Sequence, residues 1–315
     1  METSFLKAIG ADPDDDTVRL VYADWLDENG GGDRGEFIRV QVELARPGGG
    51  DARRNELRRR EADILAARRA EWVGELAATA PAGAWVFRRG FVDGLDLRGH
   101  EVGPAGAAAL ADSPHLAYAT TLDLTGNRVG DEGARALASS RHAAHLRSLD
   151  LTANVIDLAA LELALSPFMG RLTSLRLGQN VIRDAGWTAL YFALQGERLE
   201  VLDLSSNPIP DRGPRPVTHL PYRPRLAALD LSKTLAGDAA AAGLADTPAL
   251  SALRALDLSY TSVADGGAVA LAGSPYLGRL AEVKLEWNRI GDAGAGALRA
   301  RFGPALRLRS AWVRT

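Results

Sequence analysis

The chain contains no cysteine in its 315 residues, which excludes disulfides, thiol catalysis and cysteine-ligated zinc, so packing alone must hold the fold. No run of eighteen apolar residues occurs, and the start METSFLKAIGADPDDD lacks a basic segment followed by an apolar one. A soluble cytoplasmic protein without membrane contact is expected. Lysine is nearly missing: Lys7, Lys233 and Lys284 stand against abundant arginine, a bias of coding composition rather than chemistry. The formal net charge of -3 is too close to neutral for a general attraction to nucleic acid. There is no Gly-rich phosphate loop with lysine, no nucleophile elbow and no HExxH. His142 and His145 have i, i+3 spacing, but His100, His115 and His219 lie elsewhere and supply no evident third ligand. Surface histidines are expected, with no metal, no cofactor and no catalytic residue.

What is present is repetition. The stretch LRSLDLTANVI, Leu146 to Ile156, returns at a nearly fixed interval, with its asparagine position at His100, Asn127, Asn154, Asn180, Asn207, Thr234, Thr261 and Asn288. The gaps are 27 residues except for one of 26, and a shortened ninth copy ends at Ala311. Leu149 and Leu151 are two apart and so face one side of a strand, the core side. Asn154 stands where the chain leaves the sheet, and its amide can satisfy backbone groups that have lost their partners. Stacked copies make an asparagine ladder, weakened at Thr234 and Thr261. This register resembles the leucine-rich repeat.

After each strand come small residues and a leucine eight positions beyond the last apolar anchor, as at Leu137, Leu190 and Leu271, which predicts helical return segments. A glycine four past the same anchor, as at Gly106, Gly133, Gly186, Gly213, Gly267 and Gly294, allows neighbouring backbones to approach. Strands stack about 4.8 Å apart, whereas helices need roughly 8–10 Å. The stack must therefore bend with its sheet inside. The expected fold is α/β: a right-handed horseshoe solenoid with a parallel concave sheet, a helical convex side and an N-terminal all-α cap. One return segment, containing Pro210, Pro214, Pro216, Pro221 and Pro224, is expected to be extended.

The division expected is a helical cap at 1–80 and an array at 81–315, of about eight full repeats and a short last one. Residues 4–45 read as three helices, the second starting at Asp14, Asp15 and Asp16, whose carboxylates cap free amides. Leu20, Val21, Trp25 and Leu26 form its apolar face. Thr17 stands where a calcium loop would need glycine, so capping is the reading of these acids. A longer helix from Asp51 to Thr79 repeats Leu57, Ile64, Leu65, Trp72, Val73 and Leu76 at helical spacing and carries a crowd of arginines. Residues 1–45 hold eleven acids and four bases, so the natural home of those arginines is beside them. The phrases RLVYADWLDENG and EFIRVQ resemble the repeat-companion domain of planctomycete bacteria, found ahead of repeat arrays. The phrases GDEGARALA and GDAGAGALR make the array similar to the ribonuclease-inhibitor type of leucine-rich repeat, although that type is not cysteine-free.

The residue between the two strand leucines must point out of the concave face. In order these are Asp96, Asp123 and Asp150, then Arg176, then Asp203, Asp230 and Asp257, then Lys284 and Arg307. Carboxylates on neighbouring strands repel, so they are not expected to serve stability; a basic partner or cations would relieve the repulsion, and the alternative is a solvated row of ordinary repeat filler. Further along, the positions are small (Gly99, Gly126, Ala153, Ser206) until Tyr260 and Trp287, an aromatic pair with Lys284 and Glu286 as its polar surround. The function expected is a monomeric, non-catalytic protein-binding scaffold. A regulator of an enzyme or GTPase is the alternative implied by the ribonuclease-inhibitor likeness, and an orphan hydrolase is the third reading.

Overall fold

The computed structural model describes residues 1–12, 15–48, 50–74, 81–193, 198–211 and 225–308. Four helices come first: α1 (Glu2–Ala11), α2 (Asp16–Glu28), α3 (Gly32–Ala45) and α4 (Asp51–Val73). Asp15 caps α2 by accepting from the Thr17 amide at 2.8 Å. The inward face of α2 is turned from the one expected: Tyr22, Ala23 and Leu26 are buried, whereas Val21 is exposed. The arginines of α4 reach back to acids of α3, pairing Arg53 with Glu43, Arg60 with Glu36 and Arg68 with Asp33. That is the placement the charge count predicts.

One ten-stranded sheet follows in chain order: β1 (Trp85–Arg88), β2 (Phe91–Asp96), β3 (Thr121–Asp123), β4 (Ser148–Asp150), β5 (Ser174–Arg176), β6 (Val201–Asp203), β7 (Ala228–Asp230), β8 (Ala255–Asp257), β9 (Glu282–Lys284) and β10 (Leu306–Arg307). Strands β2 to β10 are parallel and in register, so Leu95, Leu122, Leu149 and Leu175 lie side by side. Return helices α5 (Gly103–Asp112), α6 (Gly130–Ala138), α7 (Ala159–Ala164), α8 (Asp184–Ala193), α9 (Asp238–Ala245), α10 (Asp265–Gly273) and α11 (Asp292–Phe302) cover the other side. A Cβ on Gly133 or Gly294 would lie 2.9 or 2.8 Å from the Cβ of Ala107 or Ala268 in the preceding repeat. These glycines do set the approach of adjacent helices. Pro214, Pro216, Pro221 and Pro224, like Gly213 and His219, lie outside the described residues. Among the described residues no helix is long and apolar enough to cross a membrane.

Two polar ladders run through the stack. Asn154 Nδ2 donates to the Leu124 carbonyl of the preceding repeat at 2.8 Å, while its Oδ1 accepts from the amides of Asn127 and Val129 at 3.1 Å. Asn127, Asn180, Asn207 and Asn288 make equivalent buried contacts. Thr234 reaches only its own repeat, bonding the Leu231 carbonyl, so the ladder thins there as expected. The second ladder has no counterpart in the sequence reading. Asp131 and Asp265, in the first turns of α6 and α10, and Asp211 accept from amides opening the next repeat's helix, as Asp265 does from Gly291 and Gly294 at 2.8 and 2.9 Å.

The helices close the open end of the array through a hairpin. Strand β1 pairs antiparallel with β2, the one reversal in the sheet. Arg34 of α3 lies 4.4 Å from the Trp72 ring centroid and 5.5 Å from that of Phe91, binding α3, α4 and β2 around one cation. Gln41 donates to the Phe87 carbonyl at 3.1 Å and accepts from the Gly90 amide at 2.6 Å. Ile9, Tyr22, Leu26, Ile38 and Val42 form one apolar cluster with Phe91 of the hairpin and Tyr118 of the first repeat.

Candidate functional site

The in-register strands bring Asp96, Asp123, Asp150, Arg176, Asp203, Asp230, Asp257, Lys284 and Arg307 into a single row across the concave face. Their alternation with buried leucines follows from the two-residue strand period. The expectation that the aspartates do nothing for stability is wrong. Each accepts the amide two residues on: Thr125 to Asp123, Thr152 to Asp150, Ser205 to Asp203, Ser232 to Asp230 and Ser259 to Asp257, at 2.8–2.9 Å. One carboxylate oxygen thus closes the turn that ends the strand. The other oxygen is left for ion pairs, as Asp123, Asp150 and Asp257 make with Arg98, Arg176 and Lys284.

Repulsion along the row is relieved unevenly. Arg98 bridges Asp96 at 2.6 Å and Asp123 at 3.5 Å, and its hydrogen bonds hold the Asp96 carboxyl below the usual range. Arg176 stands 4.0 Å from Asp150. Lys284 lies 3.6 Å from both Asp257 and Glu282; although burial opposes it, their combined charge raises its pKa. Among the described residues no cation lies within ion-pair distance of Asp203 or Asp230. Burial pushes the Asp230 carboxyl up, the bonds from Ser232 oppose this, and the charges of Asp257 and Asp203 add to the rise.

These middle residues share a concavity of about 200 Å³ lined by Arg176, Asp203, Asp230, Asp257, Glu282 and Lys284. The space exists because the residues two before the row, Val201, Ala228 and Ala255, have short side chains and face the same way. Glu282 occupies that position in β9, and the same period would have found it in the sequence. Arg98 was missed because it lies beyond the strand and reaches back.

Tyr260 and Trp287 do not sit on strands. They hold the left-handed position before the ladder residue, with φ of 56° and 60°, and Gly99, Gly126, Ala153, Gln179, Ser206 and Lys233 occupy it in other repeats. The small residues there reflect backbone conformation rather than an open floor. A bulky aromatic at positive φ is a strained choice, costing roughly 1–2 kcal/mol. The two rings are half exposed and stacked, with centroids 5.7 Å apart and planes at 19°. Lys233 Nζ lies 5.8 Å from the Tyr260 ring centroid, extending the stack by a cation. Glu286 precedes Trp287, and its carbonyl accepts the Tyr260 amide at 2.8 Å. The aromatic pair is not part of the concavity's lining but borders the turns at the exit of the same strands.

Neither His142 nor His145 stands on an α-helix. His142 accepts from Arg141 at 3.1 Å, and His145 ends a single 3-10 turn and is partly buried rather than on the surface. Among the described residues no group of three or more histidines and carboxylates is arranged to hold a metal ion.

A family model described as leucine rich repeat matches residues 95–111, 120–138, 250–272 and 280–298, and a second leucine rich repeat model matches 198–220. The chain therefore carries leucine-rich repeats. No curated protein matches the sequence. Among solved structures it is similar to an internalin, InlF, of Listeria monocytogenes, with 18% identity, a TM-score of 0.38, and coverage of 63% of this chain and 55% of that one. It is also similar to internalin C2 of the same organism, with 20% identity, a TM-score of 0.38, and coverage of 70% and 80%.

Proposed function

We propose that the protein is a non-catalytic protein-binding scaffold of the cytoplasm, and that its concave face, with the aromatic pair at its border, is the docking surface. The observation that carries this reading is the Tyr260–Trp287 stack: two large rings held half in solvent on strained backbone, where the other repeats use glycine, alanine, serine, Gln179 or Lys233 and none uses an aromatic. Aromatic residues with a polar surround are the usual anchors of protein interfaces. A stacked solenoid presents this kind of extended curved surface. On the concave face Asp203 and Asp230 each keep a carboxylate oxygen with no cation within ion-pair distance among the described residues, which favours a basic patch on the partner. The aspartates are committed to strand-ending turns, which suits them to binding rather than to proton transfer.

The test is retention of partners from the native cell by immobilised full-length protein, compared with Trp287→Ala and Asp230→Asn. Trp287→Ala should weaken binding of a retained protein by more than about 2 kcal/mol, the hot-spot range. Asp230→Asn should slow association and lose its effect at high salt. Retention of the same proteins with the same affinity by all three would remove the reading.

A further inference from the structure

Because β2 to β10 run in one direction, their N-terminal ends share one edge of the sheet. Six consecutive repeats place an arginine within three residues before the strand: Arg147, Arg171, Arg198, Arg225, Arg254 and Arg279. All six are exposed, and among the described residues no carboxylate lies within ion-pair distance of any of them. Elsewhere several arginines are paired with acids, as at Arg39, Arg53, Arg60, Arg68, Arg135 and Arg183, and the unpaired ones do not form a line of six successive repeats. The edge is therefore a line of guanidiniums left without acids in a protein of slightly negative net charge.

Toward the helical cap the edge deepens into a trough. One hollow, of about 160 Å³, lies against the β1–β2 hairpin and is lined by Arg19, Arg88, Arg89, Tyr118, Thr120 and Arg147, with one carboxylate, Asp93, which accepts from the Thr120 hydroxyl at 3.2 Å. The next, of about 50 Å³, is lined by Thr120, His145, Arg147, Arg171, Thr173 and Arg198. Thr120 and Arg147 belong to both, so the trough is continuous from the hairpin to the start of β6. His145 within it is held toward its neutral form by burial first and then by the charges of Arg171 and Arg147, a local sign of the positive field.

We propose that this arginine edge, centred on Arg147, Arg171 and Arg198, docks an acidic segment of a protein, whose glutamate or aspartate side chains fork onto the guanidiniums. Arginine presents paired donors in a plane that matches a carboxylate. A nucleic acid fits less well, because single strands need open aromatic platforms for their bases. The aromatics here are spent: Tyr118 packs on Phe91 at 4.9 Å between centroids, within the cap's apolar cluster. The Asp123 and Asp150 carboxylates on the adjoining concave face would also repel a continuous phosphate backbone, whereas single carboxylates can be set one by one. This edge is separate from the concave row and does not depend on the reading given for it.

The probe is a fluorescein-labelled deca-glutamate peptide, titrated with the full-length protein and followed by anisotropy at about 0.15 M salt, where charges more than about 8 Å apart are screened. Binding is expected, and it should weaken as salt rises. The Arg147→Ala, Arg171→Ala double variant should lose at least about tenfold in affinity, since it removes two forked, charge-assisted contacts. Arg59→Ala, on an exposed face of α4, should lose nothing. If circular dichroism shows the double variant unfolded, the charge-keeping Arg147→Lys, Arg171→Lys pair is read instead, with a severalfold loss expected because lysine lacks the fork. No binding at this salt, or equal binding by the arginine variants, overturns the proposal. Tighter binding of a ten-nucleotide oligothymidylate than of the peptide overturns it in favour of nucleic acid.

Discussion

A carboxylate between two others on adjacent strands is costly unless something offsets it, and Asp230 shows both sides of that balance. Its turn-closing bond from Ser232 stabilises, while burial and the charges of Asp203 and Asp257 raise its pKa above the ordinary 3.8. A group whose folded pKa is raised contributes stability that is fully present below its unfolded pKa and is lost as pH rises through the folded value. Ionised Asp230 is therefore a liability at neutral pH. Asp230→Asn keeps an oxygen for the Ser232 amide and removes the charge, so it should raise stability at pH 7 by up to about 1 kcal/mol, the range of cross-strand charge pairs. The gain should fade as pH drops toward 3.8, where the wild-type carboxyl is itself neutral. Denaturant unfolding of both proteins across pH 3 to 8 checks it; an unchanged or lowered midpoint at pH 7 would show that the repulsion is already screened. The turn role of these aspartates was legible in principle, because Asp-Leu-Thr and Asp-Leu-Ser recur with a turn-forming pair two residues apart. The strand period drew notice to where the side chain points, not to which amide it meets.

Elements were more legible than residues. Strand positions, helical returns and the glycines between helices follow from periods of 2 and about 27, since each repeat restates the same packing problem. What repeats less plainly escaped: the aspartate caps join residues 26 to 29 apart, and no single copy shows them. The β1–β2 hairpin escaped for the opposite reason, because it occurs once. Its signal was the Arg89-Gly90 pair between apolar runs, and both residues have positive φ, 51° and 90°. Gly90 also meets α3 closely, since a Cβ there would stand 2.2 Å from Ile38 Cγ1. Gly90→Ala should thus cost about 2–4 kcal/mol, combining an unfavourable left-handed alanine with overpacking against α3. Thermal unfolding measures the loss, and Gly83→Ala, where nothing lies within 4 Å of the added Cβ, is the matched control. Equal transitions for the two variants would show that the hairpin and α3 are not held by this contact.

At the scale of the molecule the cap and the array solve each other's problem. A solenoid end exposes strand edges and apolar side chains, and an isolated set of short amphipathic helices has too little core to stand alone. Here β1 covers the edge of β2, and α1 to α4 cover the hairpin: Phe37 and Trp72 pack on Phe87, while Tyr22 and Arg34 pack on Phe91. The arginine of that contact stays charged near neutrality, since burial lowers its pKa only to about 10. Deleting residues 1–74 would leave Phe87, Phe91 and Tyr118 facing water along with the partners they have lost. Several side chains of this size bury 150–250 Å² each, and a contiguous exposed patch of that extent promotes association. The truncated chain should therefore bind a hydrophobic dye and elute as aggregate by size-exclusion chromatography, while the full chain does neither. Separate expression of residues 1–74 added back in trans should reduce the dye signal if the same surface is being covered. A truncated array that remains monodisperse and dye-silent would mean that the hairpin alone seals the stack, and that the helices are there for a purpose other than closing it.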